Sequence, residues 1–521
     1  MNRMSTPTAA TVLSAAQAYQ ALAARDARFD GRFFVGVTST GIYCRPVCRV
    51  RLPKPENCRF YANPASAEHA GFRPCLRCRP ELAPGLSRTD SSAVLARAGA
   101  RWIDHAVAQG EPCALPDVAR RLGITDRHFR RIFAAVHGVS PVAWLGTQRL
   151  LLAKRLLTDT RLPITEIASA SGFASLRRFN AAFASQYRMP PGALRRAAAS
   201  AIDGPASLHL PWRPPYDIAA MLDFLSARPL PGVEALHQGA WQRSLALSHG
   251  GRVLRGWVSL RFDAERCQVL AQVAPELAPA LGAVAERLRH LLDLDADPEA
   301  IAEGLQTWPA TLGFAPRSGL RLPGCIDGFE TTVRIILGQQ ISVAAACTLA
   351  GRLVQRFGIP LATPVPGLTH CFPDPQTLAE ASAEAIGTLG IVRSRVAAIQ
   401  ALARAVQSGE LALHPAAPME HSLATLRGLP GIGAWTCELV ALRVLAWPDA
   451  FPASDAGVIK ALQGLRAPAS TVLAEAWRPW RSYAVMQLWQ ALHDNPPPTQ
   501  AGAPRPTTPP TKPPTIEETH R

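Results

Sequence analysis

Four cysteines are spaced as two close pairs inside a basic region. Cys44 and Cys48 are separated by three residues in "TGIYCRPVCRV", and Cys75 and Cys78 are separated by two residues in "FRPCLRCRPEL". Four thiolates on two tight turns suit tetrahedral coordination, and a closed shell of four cysteine ligands is common in structural zinc sites. The spacing therefore predicts one zinc ion per chain, bound by these four cysteines.

A disulfide framework is the competing interpretation of these thiols. The chain has 11 cysteines, an odd number, and they are scattered along the sequence. No secretory signal is recognisable, which favours a reducing, cytoplasmic environment and metal binding over disulfides. The other cysteines are interpreted as ordinary core or surface residues: Cys58, Cys113, Cys267, Cys325, Cys347, Cys371 and Cys437.

A second stretch combines a glycine hairpin with a carboxylate. In "LRGLPGIGAWTCELVALRV", residues 426–444, Gly431 and Gly433 allow a tight turn between two helices. The N–H groups that open the second helix can bind a DNA phosphate. Asp455 follows in "FPASDAGVIKAL", at a distance that could return the chain to the same cleft. A plain helix–helix turn and a plain helix cap remain the alternatives.

Two helix-turn-helix patterns occupy residues 91–200. The stretch "LPDVARRLGITDRHFRRIFAAVHG" predicts a supporting helix over 117–122, a turn at Gly123 and a second helix over 125–133. The stretch "PITEIASASGFASLRRFNAAFASQY" repeats the pattern around Gly172. One such pattern can be mimicked by any helical hairpin, whereas two joined by a long apolar helix indicate a DNA-binding domain.

The second helix of each pattern has an apolar face and a polar face. Thr125 and Ser175 are predicted to cap these helices, and four phenylalanines are predicted to form their core. The outward residues could read base edges in the major groove, with a solvated basic face as the alternative. These predicted DNA-binding residues are Arg127, His128, Arg130, Arg131, Arg177, Arg178 and Asn180.

The composition agrees with a nucleic-acid partner. The net charge is +16, and only four of the 55 basic residues are lysines. Guanidinium groups offer fork-shaped donors to phosphate. No apolar run reaches the roughly 18 residues that a membrane-spanning helix needs. We therefore predict double-stranded DNA as the partner and no contact with a membrane.

A chain of 521 residues is too long for one core, and its patterns divide it into domains. Residues 208–275 alternate apolar and polar positions like antiparallel strands, and residues 280–495 return to helices. The predicted fold class is multidomain and mainly α. It comprises a small zinc-bound α+β domain, an α domain with two helix-turn-helices, a small antiparallel α/β domain and a helix-hairpin-helix α domain. The predicted boundaries are 1–87, 91–200, 205–285 and 286–496, with a disordered tail over 497–521.

These motifs resemble three known protein families. "GIYCRPVC" and "NCRFYANPASAEHAGFRPCLRC" resemble the N-terminal methylphosphotriester-repair domain of the Ada regulator. The helix-turn-helix pair, with "GFASLRRFNAAF", resembles the DNA-binding domain of AraC-type transcription regulators. "GFETTVRIILGQQIS", "LPGIGAWT", "FPASDAGVIK" and "WRPWRSYA" resemble the AlkA-type 3-methyladenine DNA glycosylase II of the helix-hairpin-helix superfamily. The resemblance implies a regulator of the alkylation response fused to a base excision repair enzyme, acting at the bacterial nucleoid.

The Ada resemblance implies that Cys44 is a methyl acceptor as well as a zinc ligand. A metal-bound thiolate can attack the methyl carbon of a neutral phosphotriester, and each molecule would act once. Methylation removes one negative charge beside the phosphates, which is expected to strengthen DNA binding and to activate transcription by RNA polymerase. A monomer is expected. The predicted phosphate contacts of this domain are Arg45, Arg51, Arg73 and Arg77.

The AlkA resemblance implies that Asp455 is the catalytic carboxylate. An alkylated purine such as 3-methyladenine is cationic and leaves readily, so one carboxylate can stabilise the oxocarbenium-like sugar and orient water. The flipped cationic base is expected to meet Trp435 and Trp489, for which core tryptophans are the alternative. The DNA wedge of the family falls on Gln340, which is polar, and the neighbouring Ile341 is a second candidate.

Two absences delimit the expected chemistry. Bifunctional relatives carry a Schiff-base lysine where this chain has Trp435, which predicts a glycosylase without lyase activity. No PCHR motif occurs, so O6-methylguanine methyltransferase activity is not expected. The rival hypothesis is a DNA-binding regulator with a structural zinc site and an inactive glycosylase module.

Overall fold

The computed structural model describes residues 15–80, 83, 94–198, 206–237, 239–309, 312–462 and 469–494. Residues 88–90, between the first two predicted domains, and the predicted tail over 497–521 lie outside the described residues. Among the described helices, none is long and apolar enough to cross a membrane. The described part has the predicted multidomain, mainly α organisation, with units that follow one another along the chain.

The N-terminal unit is a small sheet with short helices packed on it. Its elements are α1 (Ala15–Ala24), β1 (Phe34–Val37), β2 (Ile42–Cys44), β3 (Cys58–Tyr61), α2 (Pro64–His69) and β4 (Arg73–Pro74). The strand order is β3–β1–β2–β4, and β4 pairs parallel with β2. Cys44 ends β2 and Cys75 directly follows β4, where its N–H donates to the Tyr43 carbonyl. This register brings the two cysteine pairs to one end of the sheet.

The second unit is helical and contains both predicted helix-turn-helices. Its helices are α3 (Val94–Gln109), α4 (Leu115–Arg121), α5 (Asp126–His137), α6 (Pro141–Asp159), α7 (Ile164–Ala170), α8 (Leu176–Tyr187) and α9 (Pro191–Ala198). Thr125 and Ser175 cap α5 and α8 as predicted. The helix α5 continues past the predicted end and stops at Gly138, whose left-handed backbone suits a glycine C-cap. The predicted core phenylalanines are fully buried: Phe129, Phe133, Phe179 and Phe183.

The third unit is the predicted antiparallel sheet. Its elements are β5 (Ala206–Pro211), α10 (Ile218–Ser226), β6 (Glu234–His237), β7 (Ala240–His249), β8 (Arg252–Asp263) and β9 (Gln268–Val273). The strand order is β5–β9–β8–β7–β6 with antiparallel neighbours throughout. One hydrophobic cluster contains both Leu156 of α6 and Leu208 of β5, so this sheet and the helix-turn-helix unit share a core.

The fourth unit is helical and surrounds the glycine hairpin. Its elements are α11 (Leu281–Leu291), α12 (Pro298–Gly304), α13 (Gly328–Leu337), α14 (Val343–Phe357), β10 (Ile359–Pro360), β11 (His370–Cys371), α15 (Pro375–Glu380), α16 (Ala383–Gly387), α17 (Arg393–Gln407), α18 (Met419–Gly428), α19 (Ala434–Arg443), α20 (Ala456–Ala461), α21 (Ala469–Ala474) and α22 (Arg481–Asp494). Its core forms two clusters, one around α13, α14, α17 and α19 and one around α20 and α22. Trp489 packs against both clusters, so it marks the place where they meet.

A buried network of four charges fastens the sheet to this helical unit. Arg243 of β7 lies 2.6 Å from Glu234 of β6 and also pairs with Glu330 of α13. Arg334, one turn further along α13, pairs with the same two carboxylates. Removing one member would leave a buried charge without its full set of partners, which is strongly destabilising. The network therefore fixes the orientation of α13, the helix that leads into the predicted wedge loop.

Candidate functional sites

The four predicted zinc ligands meet in one place. The sulfur atoms of Cys44, Cys48, Cys75 and Cys78 all lie within 4.8 Å of one another. Three of the side chains are buried, and Cys78 is partly exposed. Tetrahedral zinc with Zn–S bonds of about 2.3 Å places its sulfurs roughly 3.8 Å apart, so the arrangement fits the ion. Sulfur crowding raises the pKa of Cys44, chiefly through its hydrogen bond to Cys48, whereas a dication among the sulfurs favours the thiolate.

Arg45, a predicted phosphate contact, has a different environment from the one expected. Its side chain is buried, and its guanidinium forms a two-point ion pair with Asp30, with an Nε–Oδ1 distance of 2.8 Å. It also donates to the Cys78 carbonyl at 3.2 Å, and its backbone N–H approaches the Cys78 sulfur. These contacts are better explained by a structural brace for the cysteine loops than by phosphate binding. The sequence interpretation missed this because Asp30 lies outside the motif.

The other predicted arginines of this unit are accessible. Arg51 and Arg77 are exposed, and Arg73 is partly exposed with one donor directed at the Tyr187 carbonyl of α8. Their charges lie in the same basic segment as the cysteines. They therefore remain available for the predicted phosphate contacts.

The helix α6 joins the cysteine centre to the helix-turn-helix unit. Lys154, in the middle of α6, is fully buried and donates to the Cys75 carbonyl at 3.3 Å. The Glu68 carboxylate accepts from Tyr43 of the small sheet and from Thr147 of α6, both at 2.8 Å. None of these residues was predicted from the sequence, where their signal is weak. The available clue was Lys154, which is one of only four lysines in the chain and occupies an otherwise apolar position of the helix.

The predicted base-reading residues lie on the surface. Their side chains are exposed in α5 and α8 except for His128, which is partly exposed. Arg130 pairs with Asp126 at 2.7 Å, and Arg131 lies 3.0 Å from His128. The residues concerned are Arg127, His128, Arg130, Arg131, Arg177, Arg178 and Asn180.

The glycine hairpin has the geometry of a phosphate-binding turn. Gly431 has a positive φ of 73°, where a Cβ would also approach Ala398, and Gly433 opens α19 from an exposed position. No side chain caps α19, in contrast to α5, α8 and α14. An exposed, uncapped helix start offers its first N–H groups to an anion.

Asp455 lies close to this hairpin and is held by four N–H donors. Trp435, in the first turn of α19, donates its indole N–H to Oδ2 at 3.0 Å, and Trp489 donates to Oδ1 at 2.9 Å. Oδ1 also accepts from the backbone of Gly457 and Val458, so the residue is an N-cap as well. Charge-assisted bonds of this kind fix the carboxylate in one orientation.

The two tryptophans, predicted as pocket residues, are both partly exposed. Their indole N–H groups donate to the carboxylate, and both side chains are partly accessible to solvent. The arrangement can place a cationic group against both the carboxylate and an aromatic face. Both tryptophans also pack against hydrophobic core clusters, so their role as pocket residues stays a prediction beside the core alternative.

The predicted wedge lies on a loop that is tied to the hairpin. Gln340 is exposed and has a φ of 55°, in the left-handed region, and Ile341 is partly exposed. The preceding residue, Gln339, donates its side-chain amide to the Gly431 carbonyl and to Thr436, both at 3.0 Å. No role for Gln339 was predicted from the sequence, because its partners follow it by more than ninety residues.

Four family models match successive parts of the chain. They are the metal binding domain of Ada (17–81), a helix-turn-helix domain (118–197), the AlkA N-terminal domain (207–327) and the HhH-GPD superfamily base excision DNA repair protein (333–482). The chain belongs to the family of bifunctional transcriptional activator/DNA repair enzymes, and it joins all four of these domains.

Individual relatives agree with this assignment. The probable bifunctional transcriptional activator/DNA repair enzyme AlkA of Mycobacterium tuberculosis is 40% identical over 490 residues, which cover 91% of this chain and 96% of the relative. DNA-3-methyladenine glycosylase 2 of Escherichia coli is 37% identical over 54% of this chain and 95% of its own length. The bifunctional transcriptional activator/DNA repair enzyme Ada of Escherichia coli is 39% identical over 31% of this chain and 44% of its own length.

Proposed function

We propose that this protein is a transcriptional activator that senses DNA alkylation and also repairs it, through two separate chemical centres. One centre accepts a methyl group from a DNA methylphosphotriester on Cys44. The other hydrolyses the N-glycosidic bond of alkylated bases such as 3-methyladenine, with Asp455 as the catalytic carboxylate. It acts as a monomer on chromosomal DNA in the bacterial cytoplasm, and RNA polymerase is the partner of its activator function.

The four-cysteine cluster supports the methyl-transfer half of this proposal. Bound zinc keeps the Cys44 sulfur as a thiolate at neutral pH. That sulfur forms a bond to the methyl carbon while the C–O bond of the triester breaks, and the phosphate oxygen keeps the electron pair. The products are a phosphodiester anion and an S-methyl cysteine. Arg51, Arg73 and Arg77 would bind neighbouring phosphates during the attack.

The Asp455 environment carries the glycosylase half of the proposal. Among the described residues, Oδ1 accepts three N–H donors whereas Oδ2 accepts only the indole of Trp435. Oδ2 therefore keeps the lone pairs that can face the developing sugar cation or orient the attacking water. The base leaves with the electrons of the glycosidic bond, and water supplies the hydroxyl group to the sugar.

The hairpin and the wedge loop would prepare the substrate for this step. The exposed start of α19 would bind a backbone phosphate, and the Gln340 loop would enter the stack as the damaged nucleotide leaves it. The aromatic faces of Trp435 and Trp489 would then receive the cationic base. An electron-deficient base needs little protonation, which suits a site with one catalytic carboxylate.

One assay on purified protein tests both halves. Methylated duplex DNA is incubated with the protein, and the free bases are quantified by chromatography. The mass of the protein and the site of any added methyl group are determined by mass spectrometry. Release of 3-methyladenine together with a gain of one methyl group on Cys44 is the expected result. A regulator with an inactive glycosylase module would release no base, and a purely structural zinc site would leave the protein mass unchanged.

A further inference from the structure

The segment between α13 and α14 is anchored on both sides of its exposed tip. On one side, Gln339 bonds through its side chain to the hairpin and to α19. On the other side, Ser342 caps α14 by accepting from the Ala345 N–H at 3.2 Å. The tip residues Gln340 and Ile341 lie between these anchors, and Gln340 holds a left-handed backbone that is unfavourable for a residue with a side chain.

Gln339 makes contacts with three separate elements. Its amide nitrogen reaches the Gly431 carbonyl inside the hairpin and the Thr436 hydroxyl in the first turn of α19. Its own carbonyl accepts from the guanidinium of Arg395, in the first turn of α17. Thr436 is buried, so this contact joins the loop to the packed interior and not to another mobile surface group.

We propose that Gln339 is a positioning residue that couples the wedge loop to the phosphate-binding hairpin. Inserting a side chain into the base stack costs unstacking free energy, and the loop must keep its position against that cost. A loop braced directly on the hairpin keeps the inserted tip at a fixed distance from the bound phosphate. Binding of the DNA backbone and opening of the base stack then occur together. The sugar of the damaged nucleotide is thereby positioned beside Asp455.

This proposal rests on the glycosylase half of the proposed function. It predicts different effects on paired and on unpaired substrates, which a merely structural role of Gln339 does not. Gln339 is expected to matter for a base that must be taken out of a duplex and to matter little for a base that is already unpaired. Substitution of Asp455 is expected to slow excision equally for the paired and for the unpaired base. The comparison of paired and unpaired substrates therefore separates extrusion of the base from the chemistry.

The test uses the full chain with Gln339→Ala, and with Gln339→Glu, which keeps the size but places an acceptor against the Gly431 carbonyl. Gln376→Ala is the matched control, because Gln376 is exposed and bonds only to Glu380 in its own helix among the described contacts. Single-turnover release of 3-methyladenine is measured from a paired duplex and from a bulge that leaves the base unpaired. A fluorescent base analogue next to the lesion reports unstacking without any need for excision.

The expected result is a loss of roughly tenfold to a hundredfold in excision from the duplex, with a change of less than about threefold on the bulge. The unstacking signal is expected to fall in parallel, and Gln376→Ala is expected to behave like wild type. If Gln339→Ala does not fold, Thr436→Val removes one of the same contacts with an isosteric side chain. The double variant Gln339→Ala/Thr436→Val is expected to lose no more than Gln339→Ala alone.

Wild-type excision from the duplex by Gln339→Ala would overturn the proposal, as would equal losses on duplex and bulge in a folded variant. Absence of base release by the wild-type protein on both substrates would instead refute the glycosylase function. In that case the unstacking signal still decides whether Gln339 couples the loop to the hairpin.

Discussion

The four-cysteine centre and the Asp455 site, to which we assign the two reactions on DNA, are built in opposite ways. Cys44 ends a strand, is 4% exposed, and has three other sulfurs as its immediate neighbours. Asp455 begins a helix, is partly exposed, and has N–H donors on both of its oxygens. In the proposed function, the first centre keeps a nucleophile that is used once, and the second keeps a charge that must survive every turnover.

This difference shows how burial and hydrogen bonding set the role of an anionic side chain. A thiolate among sulfurs retains lone pairs that can form a bond to carbon, and S-methylation then removes its charge permanently. A carboxylate whose oxygens accept four N–H bonds is a poor nucleophile but a stable source of negative potential. Because the centres lie in separate units, changes in one are expected to leave the other intact.

Zinc removal is expected to produce the largest difference between the two regions. A structural site with four thiolate ligands contributes to folding, so chelation is expected to unfold the N-terminal unit and abolish methyl uptake. Base release is expected to persist, because the four assigned zinc ligands all lie in the N-terminal unit. Hydrogen exchange over residues 17–80, metal analysis and base release on the same sample provide the measurement. Less than one zinc per chain in protein purified without chelator would contradict the assignment.

The substitution Cys44→Ser is expected to abolish methyl uptake completely while base release continues. A serine hydroxyl is not deprotonated under these conditions and cannot replace the thiolate. Peptide mapping by mass spectrometry after exposure to methylated DNA is the measurement. A methyl group found on Cys48, Cys75 or Cys78 of the wild-type protein would show that another sulfur is the acceptor.

The substitution Asp455→Asn is expected to slow excision by about a hundredfold or more, equivalent to ~3 kcal/mol of transition-state stabilisation. Asparagine can still cap α20, but its NH2 group would oppose the indole N–H of Trp435 or Trp489. Binding to damaged DNA and methyl uptake at Cys44 are expected to persist. The measurement is single-turnover release of 3-methyladenine, and rates equal to wild type would leave Asp455 with a capping role only.

The substitution Arg45→Met is expected to destabilise the N-terminal unit by about 3 kcal/mol, because Asp30 would be left as a buried charge without its partner. Arg51→Ala, at an exposed position, is the control and is expected to weaken DNA binding without a change in unfolding. Thermal unfolding and DNA titration of both variants are the measurements. If Arg45→Met unfolds like wild type and loses DNA affinity, the phosphate-binding interpretation of Arg45 is correct after all.

The smallest effect is expected for Trp435→Phe, which keeps an aromatic face but removes the N–H bonded to Asp455. Loss of one hydrogen bond to a charged group is expected to slow excision about tenfold, with little change in substrate affinity. Trp435→Leu is the control, because it removes both the N–H and the ring and is expected to weaken affinity as well. Identical behaviour of the two variants would mean that the indole N–H has no separate role.

Local sequence patterns predicted the elements well where the interactions that decide them are local. Thr125 and Ser175 cap their helices through the N–H groups three residues later, so adjacent positions contain the whole signal. The alternating stretch over 208–275 covers the five-stranded sheet except for the first two residues of β5, for the same reason. The predicted domain boundaries could not show that this sheet and the helix-turn-helix unit share one hydrophobic core, since each pattern is amphipathic by itself.

By itself, the sequence determined which groups the protein possesses: four cysteines with metal-ligand spacing, two helix-turn-helix patterns, a glycine hairpin and a carboxylate that begins a helix. The tertiary structure decided how they are used. Asp30 neutralises Arg45 across 15 residues, Trp435 reaches Asp455 across 20, and Gln339 reaches Gly431 across 92. The orientation and charge of a side chain depend on the partner that folding brings to it, and no local pattern encodes a partner at that separation.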